Sequence, residues 1–194
     1  MANKVRFGVK NVYYATLTVE GNENTFGAPV ALKGAVNISL TAEGDTNTFY
    51  ADDTAYVAFN TNSGYTGELE LAFLEDAAKV ALLGEITAGN GVVYEDASAQ
   101  PSQVALLFEF EGNVANQRHV LYNVTFSRPD LEGNTTTDST DPDTTTLSFT
   151  AIPLPMTIGT ETKNVTKGSL EYSSSTATVY NGWFTNVVVP TAGA

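Results

Sequence analysis

Apolar and polar residues alternate in short stretches along most of this chain. Residues 9–19 (VKNVYYATLTV) and 28–40 (APVALKGAVNISL) carry apolar side chains at about every second position, broken by small or turn residues, as half-buried strands do. They predict two strands, with a hairpin around Gly21-Asn22. Residues 68–74 (ELELAFL) alternate in the same way. Residues 76–83 (DAAKVALL) instead read as a short helix, Ala-rich and followed by Gly84 as its stop. Residues 104–110 (VALLFEF) and 119–127 (HVLYNVTFS), joined by EGNVANQ, predict an antiparallel core hairpin. Alternation resumes at 147–151, is ended by Pro153 and Pro155, and returns at 168–172, 177–180 and 184–189 as closing strands.

Two stretches depart from this pattern. Residues 130–146 (DLEGNTTTDSTDPDTTT) have almost nothing to bury, so ordering entropy is not offset there and a mobile acidic loop is expected. Residues 41–67 are rich in Gly, Asn, Asp and Thr, yet contain Phe49, Tyr50, Tyr56, Phe59 and Tyr65. A long loop with so many rings needs a covering surface, either another molecule or the chain's own core. The expectation is that part of it is an assembly element, with Phe49, Tyr50, Asp52, Asp53, Tyr56 and Tyr65 as interface residues. The expected fold is mainly β, a β-sandwich or partly closed barrel with one flanking helix at about 76–83. A single domain spans 1–194, with an N-terminal arm over about 1–8.

Composition narrows the function. Lys plus Arg number 9 against 22 Asp plus Glu, a formal charge of −13 that repels nucleic-acid phosphates. Such a surface suits a conduit to which a phosphate polymer does not stick. With no cysteine there is neither a disulfide framework nor a thiolate metal site. The opening MANKVRFGVKNVYY has no apolar signal region and no stretch approaches a membrane span, so synthesis in a cytoplasm without secretion or membrane insertion is expected. The sequons at Asn37, Asn123, Asn134 and Asn164 then carry no glycan.

Catalytic chemistry finds little support. His119 is the single histidine, sits in a strand and has no cysteine to activate. Nucleophile-elbow, Walker and dinucleotide patterns do not occur. Glu109 and Glu111, two apart on one strand, have the spacing of a solvent-facing or pore-facing edge rather than of a hydrolase pair. Asp138, Asp141 and Asp143 lack the glycine and terminal glutamate of a calcium loop. Trp183, between Tyr180 and Phe184, suits a core or interface anchor better than a sugar-stacking platform. No enzyme activity, cofactor or metal is expected.

KVRFGVKNVYYA, PVALKGAVNISLTAEGDTNTFYADDTAYVA, NSGYTGELELA, LLGE, ALLFEFEG, RHVLYNVTFSRP and VYNGWFTNVVVP, in that order, cover most of the chain. As a set they resemble the major tail protein family of phages with long non-contractile tails. The resemblance implies a virion tail subunit that forms hexameric rings stacked into a tube for DNA ejection. It implies tape-measure, tail terminator and tail-tip proteins as partners, with DNA passing through unbound. Within that picture Trp183 joins the interface set, and Glu109, Glu111, Asp130 and Glu132 become candidates for the lumen. The competing readings are a carbohydrate-binding or adhesive β-sandwich of a virion, a terminator or decoration protein, and a two-carboxylate enzyme.

Overall fold

In the computed structural model, residues 4–21, 23–112, 114–133 and 143–192 are described. The first element, β1 (Arg6–Glu20), turns back tightly into β2 (Glu23–Phe26), and β3 (Val30–Leu32) follows. The 28–40 stretch divides at Gly34, whose φ of 81° is easy for glycine, so β4 (Ala35–Glu43) is separate from β3. Beyond it run β5 (Thr46–Ala51), β6 (Thr54–Asn60) and β7 (Gly64–Leu71). The expected long loop is therefore mostly a β-hairpin: the β4–β7 ladder continues into it through Ser63 N–H to Glu43 O and Thr61 N–H to Asp45 O. Thr, Tyr, Phe and Val supply the β propensity that the abundant turn residues mask in the sequence.

Helix α1 (Asp76–Leu83) forms as predicted and stops at Gly84, left-handed at φ 76°. The short pair β8 (Ile86–Thr87) and β9 (Val93–Tyr94) precedes the central hairpin β10 (Gln103–Gly112) and β11 (Gln117–Phe126). After β12 (Thr145–Ala151) come β13 (Leu154–Ile158), β14 (Glu161–Val165), β15 (Lys167–Glu171) and α2 (Ala177–Asn181). Pro155 does not end the strand as expected, because it lies in the small outlying β13–β14 pair. Residues 177–180 are helical rather than a strand. Their inward residue Tyr180 is followed at helical spacing by Trp183 and Phe184, and 184–189 pack without joining a ladder. Of the expected acidic loop, residues 134–142 lie outside those described, as do 1–3 of the N-terminal arm.

Nine of the strands form one antiparallel sheet in the order β2-β1-β10-β11-β12-β7-β4, with β3 added to β1 and β15 to β11. The sheet curls until β4 approaches β1, but no ladder joins them among the described residues, so the barrel stays open. Close strand contact requires small residues in places: a Cβ on Gly64, at φ 120°, would sit 2.0 Å from the Ala151 carbonyl oxygen.

Two apolar layers flank β10. Val104, Leu106 and Phe108 face the first, enclosed by the curl and closed off by Ala78, Leu82 and Leu83 of α1. Ala105 and Leu107 face the second, covered by Leu154 and Met156 of β13 and by Trp183, Phe184, Val187 and Val188 near the C-terminus. Burial on both faces is why β10 reads VALLF without a polar partner position.

Candidate assembly interface

The β5–β6 hairpin stands clear of both cores, and every residue of β6 is exposed. Phe49 pairs with Val57 and Asn47 with Phe59, which by strand alternation sets Phe49, Val57 and Phe59 on one face. Tyr50 and Tyr56 flank a register shift near the tip. Phe49, Tyr50, Tyr56 and Phe59 are 58–69% exposed, and no ring contact involves them among the described residues. The turn itself is Asp52-Asp53, with both residues left-handed at φ 50° and 57° as a tight two-residue hairpin turn requires. Neither aspartate has an ion-pair partner among the described residues.

Tyr65 belongs elsewhere. It lies on β7, half-buried against the first core, with the Lys167 ammonium 4.8 Å from its ring centroid. Trp183 is likewise removed from the exposed set: it is 3% exposed, and its Nε1 donates to the His119 carbonyl oxygen at 3.3 Å. Its partners in the second core come from β1, β10 and β11, distant in sequence, so alternation around residue 183 could not place it.

The acidic candidates also separate. Glu109 is 1% exposed and faces no solvent. Its Oε2 accepts from Arg118 Nε at 2.6 Å and its Oε1 from Asn116 Nδ2 at 2.8 Å, with Lys10 Nζ 3.8 Å away. Arg118 in turn lies 3.7 Å from the Tyr180 ring centroid and donates to the Tyr180 carbonyl oxygen. A cross-strand pair in the middle of an apolar face thus ties the C-terminal segment to the sheet. The sequence signal for it was a charge of each sign, Glu109 and Arg118, in facing strands of one hairpin. Glu111 is exposed and pairs with Lys10 at 3.2 Å, while Asp130 and Glu132 are exposed on the coil after β11.

His119 is buried between Phe108 and Phe110, with ring centroids 5.2 and 5.3 Å away. Its Nε2 has no hydrogen-bond partner among the described residues. Burial, reinforced by the Arg6 and Lys167 charges, depresses its pKa from 6.5 to about 4. Between about pH 6.5 and 4 the unfolded chain binds a proton that the folded chain refuses, so stability falls as pH drops through that window. At 1.36 kcal/mol per unit, discounted for partial solvent access, the loss is about 2 kcal/mol. Urea unfolding at pH 7 and 4.5 should show it, and His119→Leu should flatten that part of the pH dependence. An equal slope in the variant would assign the acid sensitivity to other groups.

The scaffold is mainly β, with two filled cores and a hairpin whose aromatic side chains are exposed. A family model described as phage tail tube protein matches residues 2–192, and the chain belongs to that family. It is a component of the virion tail whose copies assemble into a tube. The family is a structural one. No match was found among curated proteins. No helix among the described residues is long and apolar enough to cross a membrane.

Proposed function

We propose that the chain is the repeating subunit of a non-contractile tail tube, in which hexameric rings stack around a lumen that carries DNA out of the capsid. The observation that carries this reading is the β5–β6 hairpin, whose exposed Phe49, Tyr50, Tyr56 and Phe59 have no cover within the subunit. Burying one such side chain is worth about 1.5–3 kcal/mol, so covering several drives association strongly. The hairpin and the N-terminal arm reach neighbouring copies, including those of the next ring, in a heterologous contact, the kind that builds rings and open stacks. The carboxylate excess keeps the lumen from holding DNA, with Glu111, Asp130 and Glu132 as the remaining lumen candidates. Tape-measure, terminator and tip proteins meet the tube, whose subunits are made in the host cytoplasm and catalyse no reaction. The body folds as one domain, residues 1–194. The carbohydrate-binding reading loses Trp183 as a stacking surface, because that side chain is buried.

Deleting residues 49–53, which removes half of β5 and its turn, should give a subunit that still unfolds cooperatively in urea but forms no rings or tubes by negative-stain electron microscopy. Normal tubes from the deletion variant would remove the hairpin from the interface.

A further inference from the structure

A groove of about 300 Å³ opens where β1 begins, lined by Lys4, Val5, Arg6, Phe110, Val114 and Ala115 together with Gln117 and Glu171. Its apolar rim is open to solvent, Val5 and Val114 being exposed. It also gathers two of the few cations on a strongly acidic chain. Lys10, Lys79, Arg118, Arg128 and Lys163 are each committed to a carboxylate close by. Arg6 differs: it donates to the neutral Gln117 Oε1 at 2.9 Å and lies 5.6 Å from the Phe110 ring centroid, with no carboxylate paired to it among the described residues. Lys4 holds Glu171 at 2.6 Å, but both side chains are exposed, and such a pair exchanges partners at little cost.

The β5–β6 tip has the complementary composition. Asp52 and Asp53 are adjacent carboxylates without a cation of their own among the described residues, next to Tyr50 and Phe49. No residue of the hairpin lines the groove within the subunit. We infer that the groove receives the hairpin tip of a second copy, with Asp52 and Asp53 against Arg6 and Lys4 and the tip's rings against Val5, Val114 and Phe110. This rests on the assembly reading above and adds the surface that the hairpin meets. Electrostatic complementarity selects the site and its register, while the rings supply the apolar contact. Donor and acceptor are different surfaces of one chain, so the contact is heterologous and repeats from copy to copy.

The chain has no cysteine, which makes cross-linking unambiguous. Asp52→Cys and Val114→Cys subunits, prepared separately, mixed and assembled under mild oxidation, should yield a disulfide-linked dimer on a non-reducing gel. The yield should exceed by several-fold that of Asp52→Cys mixed with Lys33→Cys, Lys33 being an exposed cation beside the exposed Phe73. In cysteine-free chains, D52K/D53K and K4E/R6E should each block assembly with circular dichroism unchanged, and the four changes together should restore it. Tubes that cross-link to position 33 instead of 114, or that form normally from D52K/D53K, would overturn the groove as receptor while leaving the hairpin an assembly element. Failure of the unaltered protein to associate under any of these conditions would overturn both.

Discussion

Arg118→Ala is expected to destabilise the subunit by about 3–5 kcal/mol, a large share of the ~5–15 kcal/mol that holds a domain of this size together. The cost comes from what is left behind. Glu109, 1% exposed in the unaltered subunit, would keep Asn116 Nδ2 at 2.8 Å and the Lys10 ammonium at 3.8 Å but lose the Arg118 guanidinium at 2.6 Å, its nearest counter-charge among the described residues. The variant also removes the guanidinium stacked on Tyr180 and near Phe184, and the donor to the Tyr180 carbonyl oxygen. Replacing both charges together, E109L/R118L, should recover most of the loss, since no charge is then stranded. Urea denaturation of the two variants at neutral pH measures the difference. Equal destabilisation by the single and double changes would place the importance of Arg118 in its ring contacts rather than in its charge.

Trp183→Ala should cost a similar ~3–5 kcal/mol, for a different reason. The indole fills the second core against Leu107, Val120 and Tyr122, and its removal leaves a cavity that a sheet face cannot collapse to fill. The same change frees the His119 carbonyl oxygen and weakens the hold on residues 184–188, which form no strand and are kept in place by packing and by the Tyr122 hydroxyl donating to the Val188 carbonyl oxygen. Hydrogen exchange should therefore accelerate together across 180–188 in the variant, while β7 and β12, which line the other core, stay protected. A loss below about 1 kcal/mol with unchanged exchange would make this segment peripheral.

Both variants act on side chains whose roles the one-dimensional pattern obscures. Glu109 and Glu111 look equivalent at i and i+2, yet the first is buried and the second exposed, because Asn116 and Arg118, itself stacked on Tyr180 of α2, hold the first, while the second pairs with Lys10 at the surface. Trp183 was expected either in the core or at an interface, and the residues that settle it as core come from three strands that sequence spacing does not connect. Residues 41–67 show the reverse. Their aromatics were recognisable as needing cover, while their strand pairing was hidden by Gly, Asn and Asp at the turns.

What the sequence determined by itself is whatever rests on local periodicity, local propensity and composition. Alternation marks β1, β4, β7 and β12, continuous apolar runs mark the β10–β11 hairpin, the alanine-rich run and Gly84 mark α1, and charge with residue inventory points to a structural protein. These are properties of neighbours along the chain, and neighbours are legible. The tertiary structure alone decided which face of each strand is covered, that the C-terminal residues form a helix and a strap rather than strands, and that the barrel stays open. It also decided that the acidic tip of one hairpin and a cationic groove far away in sequence face solvent on the same molecule. Burial and charge pairing depend on segments brought together across the whole chain, so no window of residues contains the information that fixes them.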